Sequence, residues 1–425
     1  MIVKAPIVPP PRVVRVEIGN CLDVLKGMPD ESIQCCVTSP PYYGLRDYGH
    51  EGQIGLEPTP ELYVDKMVDV FREVRRVLKK DGTLWLNLGD SYNAYNGNRG
   101  RSSSISGATD EALPQLPKGA GLTVKALANK QLLGIPWRVA FALQADGWFL
   151  RQDIVWHKPN PMPESVTDRC TKAHEYVFLM SKSDRYFYDA EAVKEPCAEA
   201  TAARRGRDDR REKTGWDTAY HGNPPRGLAG NGKAGRKGEQ PKEYDGMRNK
   251  RSVWTVSLKP YKGAHFATFP AELIRPCIRA GTSHAGCCPK CGAQWKRIVE
   301  RVPGTSNPCP KTAASHAHRG DHGEPGTVGK SGDRTDCHTK TLGWKASCAC
   351  GLEAVPCTVL DPFGGSGTTG QVASEEGRNA LLIELNPEYR ALINERISKP
   401  RTLKKRERKA AARGQLALFD DMLIA

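Results

Sequence analysis

Val359 to Gly370 reads V-L-D-P-F-G-G-S-G-T-T-G, and the fold can be argued outward from it. Thr358 to Asp361 is a short apolar run closed by an acid, the form of a strand buried in a parallel sheet. Gly364, Gly365 and Gly367 follow, and Thr368 to Glu376 then reads as a helix stopped by Gly377. Glycines at a strand-to-helix turn admit positive φ and let the backbone approach a ligand closely. A second strand, Ala380 to Leu385, carries Glu384 near its end, about 20 residues on, where an acid can bind ribose hydroxyls. No lysine follows the glycines, so this is not a phosphate-binding loop. Asp361 beside the glycines suits the ammonium and carboxylate of a methionine moiety instead. The plainer alternative is an ordinary βαβ turn; the acid at the right interval argues against it.

Far upstream, Ile33 to Thr38 (I-Q-C-C-V-T) also reads as a strand, and Ser39-Pro40-Pro41-Tyr42 sits at its end. Two prolines fix φ and stiffen the turn, so the Ser39 hydroxyl and the Pro40 carbonyl can converge on one point. Both accept hydrogen bonds from an amino group. An exocyclic amine on a base is a poor nucleophile, because its lone pair is delocalised into the ring. Two acceptors that draw its hydrogens into tetrahedral geometry localise that pair and aim it at a sulfonium methyl. Tyr42 offers a ring on which a flipped base can stack. Against this stands a proline-rich turn with an incidental tyrosine, a reading weakened by the glycine turn in the same chain.

The combination resembles the DNA amino-methyltransferases in their β-class arrangement, where the Ser-Pro-Pro-Tyr segment precedes the cofactor segment. The resemblance covers most of the chain. Gly82 to Tyr92, Ile154 to Pro159 and His174 to Ser181 resemble the remaining strands of the catalytic half, and His265 to Leu273 the lead into the cofactor half. It implies a doubly wound α/β fold with a mostly parallel, seven-stranded sheet. S-adenosyl-L-methionine is expected at Asn20, Asp361, Phe363, Gly364, Gly365, Gly367, Thr368 and Glu384. Ser39, Pro40, Pro41 and Tyr42 are expected to form the catalytic segment. Ser rather than Asp before Pro-Pro-Tyr resembles cytosine-N4 enzymes more than adenine-N6 ones. Asn20 departs from the usual Gly-Asp, yet still offers a carbonyl to the cofactor's adenine amine. The alternatives are adenine N6 as target, methylation of RNA or protein, and a zinc-ribbon DNA-binding protein that is no longer catalytic. C5 methylation by a cysteine nucleophile is discounted: the Pro-Cys pairs at Cys197, Cys277 and Cys357 lack the Glu-Asn-Val that such enzymes place downstream.

Composition agrees with a polyanionic partner, here double-stranded DNA. The 63 Lys and Arg against 48 Asp and Glu give a formal net charge of +15 and a pI near 9.2. Such an excess favours nucleic acid through counterion release but carries no sequence preference. The sequence has no signal peptide and no apolar run long enough for a membrane helix, so a cytoplasmic protein of a bacterial or phage-infected cell is expected.

Fourteen cysteines in such a chain point to metal or reduced thiols rather than disulfides. Cys288-Pro-Lys-Cys291-Gly is one knuckle, and Cys348-Ala-Cys350-Gly a second close pair. Four thiolates would satisfy a structural, tetrahedral Zn²⁺. Cys287, Cys309, Cys337, His316, His318 and His338 could compete as ligands. Free thiols in a flexible insertion are the alternative.

The organisation follows from composition. Residues 13–190 form the catalytic half, including a helix from Glu61 to Lys79 with a core-facing stripe of Val64, Met67, Val68, Phe71, Val74 and Leu78. Leu132 to Ala145 is expected to be helical, and Asn93 to Thr123 a loop near the catalytic end. Residues 191–253 are an Arg- and Lys-rich insertion with interleaved aromatics, suited to target recognition or to nonspecific affinity alone. Residues 254–286 and 356–399, the latter with a helix from Pro387, form the cofactor half, separated by a zinc-ribbon-like insertion at 287–355. Residues 400–425 are a basic tail ending in Gln415-Leu416-Ala417-Leu418-Phe419. This peptide resembles those that dock bacterial DNA-metabolising proteins on the replication sliding clamp.

Overall fold

The computed structural model describes residues 12–45, 47, 49–93, 127–196, 247–258, 269–302 and 338–398. Most of the basic insertion, the 94–123 loop, much of the 303–340 stretch and the Gln415–Phe419 peptide lie outside the described residues. The chain begins β1 (Val14–Ile18), α1 (Cys21–Lys26), β2 (Ile33–Thr38), α2 (Pro60–Val77) and β3 (Leu78–Leu88). Next come α3 (Ile135–Ala145), β4 (Phe149–His157), β5 (His174–Ser181), β6 (Glu195–Pro196), β7 (Met247–Arg248) and β8 (Val253–Thr255). Then follow α4 (Ala271–Gly281), β9 (Lys296–Val302), β10 (His338–Lys345), β11 (Thr358–Asp361), α5 (Thr368–Glu375), β12 (Asn379–Glu384) and α6 (Tyr389–Ser398).

Eight strands make one sheet in the order β1-β12-β11-β2-β3-β5-β4-β8. The pairings from β1 through β3 are parallel, β5 is antiparallel to both β3 and β4, and β8 runs parallel to β4. The sheet is therefore mostly parallel, as expected, but has eight strands rather than seven. The additional strand, β8, is a three-residue edge whose Val253 pairs with Val155. It is too short to announce itself by alternation.

The period-two alternation of the central strands divides the core. Cys36, Leu84, Leu86, Phe178, Met180, Leu360 and Ile383 pack with α1, α2 and α3 on one face. Cys35, Val37, Trp85, Val177, Leu179, Val359 and Leu382 pack with α4, α5 and α6 on the other. Both faces are covered, which explains why β2 is buried throughout, Gln34 and Thr38 included. Thr59 caps α2 by accepting from Leu62 N–H, and Pro60 supplies a first-turn residue that needs no donor. The buried residues of α2 are Pro60, Tyr63, Met67, Val70, Phe71, Val74 and Val77; of the expected stripe, Val64 and Val68 are only partly buried, and Leu78 is buried but begins β3.

The described residues fall into two compact units, one within 1–193, 251–297 and 343–425, the other within 194–250 and 298–342. The first holds the eight-stranded sheet. In the second, Glu195 pairs in register with Arg248 across β6 and β7, and Arg248 Nε also donates to the Glu195 carboxylate at 3.0 Å. β9 and β10 form a separate two-stranded sheet. Among the described residues, no helix is long and apolar enough to cross a membrane.

Candidate active site

In a doubly wound sheet the ligand crevice lies at the carboxyl edge, where the winding reverses. Here that switch lies between β11 and β2, with β12 beyond one and β3 beyond the other. Asp361 ends β11 and Thr38 ends β2. The Thr38 hydroxyl donates to Asp361 Oδ1 at 2.6 Å, joining segments 323 residues apart in the chain. Asp361 is buried, and it also accepts from the Thr369 hydroxyl at 2.6 Å and from Phe363 N–H at 3.1 Å. Burial pushes its carboxyl up to about 7, against the pull of those three donors.

The glycine turn is shaped by what surrounds it. Gly364 N–H donates to Ile383 O at 2.7 Å, and Gly365 N–H donates to Glu384 Oε2 at 2.7 Å. Gly367 takes φ +79°, and a Cβ there would meet Ile393 Cγ2 at 2.8 Å, so only glycine fits without displacing α6. The half-buried Glu384 also accepts from Asn386 N–H at 2.9 Å, and burial pushes its carboxyl up. Thr368 is buried at the first turn of α5, which has no side-chain cap. Phe363 is half-buried against the core. Asn20 stands at the end of β1 as the N-cap of α1, its Oδ1 accepting from Leu22 N–H at 2.9 Å. Two acids at the ends of adjacent parallel strands, around a glycine turn that leads into an uncapped helix, fit a nucleoside bearing an amino acid.

The Ser39-Pro40-Pro41-Tyr42 loop leaves β2 at the same edge. Ser39 is half-buried, and the Pro41 carbonyl accepts from the Tyr63 hydroxyl at 2.8 Å. Tyr42 lies against Gly89, where a Cβ would meet its Cε2 at 2.5 Å. Any larger residue at 89 would push the ring out of place. The phenol donates to Glu175 Oε2 at 2.7 Å; Asn87 Oδ1 is a more distant acceptor at 3.3 Å. Burial first, and then the Glu175 charge, push the phenol well above its ordinary range. Asn87 Nδ2 donates to Tyr176 O at 3.0 Å and lies 3.3 Å from Glu175 Oε2. Lys158 pairs with Glu175 Oε1, and its Nζ lies 4.4 Å from the centre of the Trp156 ring.

The structure thus brings Ser39, Pro40, Pro41 and Tyr42 to the same sheet edge as Asn20, Asp361, the glycine turn and Glu384. Thr38, Asn87, Gly89, Lys158 and Glu175 were not singled out from sequence, although each falls in a strand or at a strand end. Their only sequence signal is placement at the ends of β2, β3 and β4 and at the start of antiparallel β5, which is the same edge. The discounted cysteine nucleophiles are poorly suited to attack: Cys277 and Cys357 are fully buried, and burial pushes the Cys357 thiol well up. Cys197 lies outside the described residues.

A separate cluster joins Cys288, Cys291, Cys348 and Cys350, whose sulfurs all lie within 4.8 Å of one another. Tetrahedral zinc with Zn–S bonds of about 2.3 Å spaces sulfurs by roughly 3.8 Å, so this donor set fits. The N–H of Cys291 pulls the Cys288 thiol down to about 6, while hydrogen bonds with Cys291 and Cys288 push Cys350 up to about 12. Cys287 points elsewhere, its Sγ approaching Pro356 O and the Cys357 thiol. The other competing ligands lie outside the described residues, as does the His338 side chain.

Fold and site define a doubly wound α/β protein whose glycine turn and Ser-Pro-Pro-Tyr loop share one edge. The DNA methylase family of N6 and N4 methyltransferases matches residues 33–288 and 357–395. The chain belongs to that family and is a DNA amino-methyltransferase. It is similar to the type II methyltransferase M.XycI of Xanthomonas campestris pv. cyanopsidis, at 38% identity over 379 residues, 89% of this chain and 86% of that one. M.Cfr9I of Citrobacter freundii is 38% identical over 371 residues, covering 87% and 83% of the two chains. M.SmaI of Serratia marcescens is 36% identical over 388 residues and 91% of each.

Proposed function

We propose that the protein methylates the exocyclic N4 amine of cytosine at a specific site in double-stranded DNA, with S-adenosyl-L-methionine as methyl donor. The observation that carries this reading is the Thr38–Asp361 hydrogen bond, which ties the Ser-Pro-Pro-Tyr loop to the glycine turn at the switch point. The donor supplies an electrophilic sulfonium methyl when held by Asp361, Phe363, Gly364, Gly365, Gly367, Thr368 and Glu384, with Asn20 beside its base. Against that methyl, the chain's own residues position the nucleophile. The Pro41 carbonyl is engaged by Tyr63, which leaves the Ser39 hydroxyl and the Pro40 carbonyl to accept from the amine's two hydrogens. The Tyr42 ring, held against Gly89 on one side, supports the flipped base. Serine before Pro-Pro-Tyr favours cytosine over adenine. Ser39→Ala should cut turnover about 100-fold while cofactor affinity stays within about twofold, because the hydroxyl acts on the amine and not on the donor. Turnover equal to that of the parent would remove Ser39 from this role.

We also infer that Cys288, Cys291, Cys348 and Cys350 hold a structural Zn²⁺. All four positions are used by the protein, and methyl transfer requires no metal-activated water.

A further inference from the structure

A group transferred between two loops moves at a rate set by what fixes their separation. The nucleophile and the methyl carbon must be aligned near contact, and a misplacement of about 1 Å can cost on the order of 100-fold. In this sheet the backbone does not set that separation. The catalytic strand β2 is in register with β3 as far as Thr38, which lies opposite Leu86. The cofactor strand β11 is in register with β12 as far as Asp361, which lies opposite Leu382. Between β2 and β11 the register covers only Cys35 with Val359 and Cys36 with Leu360. The ladder therefore stops short of the residues that bear the two loops, as a crevice at a switch point requires.

Side chains bridge the gap that the ladder leaves. The Thr38 hydroxyl donates to Asp361 Oδ1 at 2.6 Å, directly before Ser39 in the chain. Asp361 is fixed on its own side by Phe363 N–H at 3.1 Å and by the Thr369 hydroxyl at 2.6 Å. Thr369 also reaches back towards Val37 O, at the longer distance of 3.4 Å. Thr38, Asp361 and Thr369 are all buried, which strengthens these bonds and makes each costly to leave unmade. A buried end of a mostly apolar strand has no need of a hydroxyl for packing, since valine has the same branched shape.

We propose that Thr38 is a positioning residue for methyl transfer: its hydroxyl, bridging to Asp361, sets the separation between the Ser39 segment and the bound donor. This deepens the reading above and rests on the amine lying at Ser39 and the donor at the glycine turn. Thr38 touches neither reactant and acts through the spacing of the two loops.

The test compares the full-length parent with Thr38→Val, Thr38→Ser, Thr369→Val and Ser39→Ala. Donor affinity is measured by calorimetric titration with S-adenosylmethionine, and transfer by single-turnover methylation of unmethylated plasmid at saturating labelled donor. Thr38→Val keeps the shape and removes the bridge, so transfer should slow by about 10- to 100-fold while the donor Kd stays within about threefold. Thr38→Ser restores the hydroxyl and should transfer within about threefold of the parent. Thr369→Val removes an equal bond to Asp361 but leaves the bridge, and should transfer at least about fivefold faster than Thr38→Val. Should Thr38→Val fail to fold, Thr38→Ala, which leaves a small gap in place of a methyl beside the carboxylate, decides in its stead. With Ser39→Ala inactive, any of three results overturns the proposal and spares the acceptor reading: parent-like transfer by Thr38→Val, no rescue by Thr38→Ser, or equal slowing by Thr369→Val. Parent-like transfer by Ser39→Ala overturns both.

Discussion

Asp361 carries three hydrogen bonds on one buried carboxyl group, and this makes it a titrating joint between two loops. Its folded carboxyl, near 7, lies above the ordinary value of about 3.9, so folding takes up a proton between those limits. The stability it contributes is complete below about pH 4 and is lost as pH rises through about 7. The shift corresponds to at most about 4 kcal/mol. Asp361→Asn cannot titrate, so urea unfolding of the cofactor-free proteins should show the parent losing about 2–4 kcal/mol relative to the variant from pH 5 to pH 8. A parent-minus-variant difference that stays constant over that range would refute the assignment. Glu376 has the opposite sign: burial alone would raise it, but Arg279 and Arg275 pull it to about 2, and it cancels in this comparison.

At the scale of elements, the glycine turn and the cysteine knuckle are both short segments whose backbone is set by their neighbours. Gly292 N–H donates to Cys288 O at 2.8 Å, and Cys288 N–H donates to Ala293 O at 2.9 Å, closing the knuckle. Gln294 packs behind it, donating to Gly281 O and accepting from Ser283 N–H and the Cys357 thiol, just before β11 begins. Metal at the knuckle should therefore support the base of the cofactor strand. The purified protein is expected to contain one zinc per chain by elemental analysis. A strong chelator should remove it and lower the melting temperature by on the order of 5 °C. Absence of metal together with indifference to chelator would leave the cluster as plain thiols.

These elements also mark how far the chain could be read without its structure. β2 and β11 match their expected bounds because each is a short, mostly apolar run that ends in a polar residue, Thr38 or Asp361. The helix expected from Leu132 begins at Ile135, where Pro136 fixes the first turn after Gly134. β3 starts directly at the end of α2, and no sequence punctuation marks that change of period. The two motifs were legible because each is local and rich in Gly or Pro. The Glu175–Lys158–Asn87 support was not, because it draws on three separate strands whose side chains meet only after the sheet is ordered.

For the whole molecule, the order of strands explains how segments from opposite ends of the chain serve one reaction. Parallel winding outward from the β11–β2 switch carries β1, β2, β3, β11 and β12 to the same edge. The antiparallel turn from β4 into β5 delivers Lys158 and Glu175 there as well. The net charge of +15 supplies general attraction to DNA without deciding the base. On the proposed reading the base is decided by which amine Ser39 receives, and one measurement reads it directly. Unmethylated plasmid is incubated with the purified full chain and labelled S-adenosylmethionine, digested to nucleosides and examined by mass spectrometry. Label is expected in N4-methylcytosine; label in N6-methyladenine instead, or in no nucleoside while the donor still binds, would contradict the assignment of Ser39 to a cytosine amine.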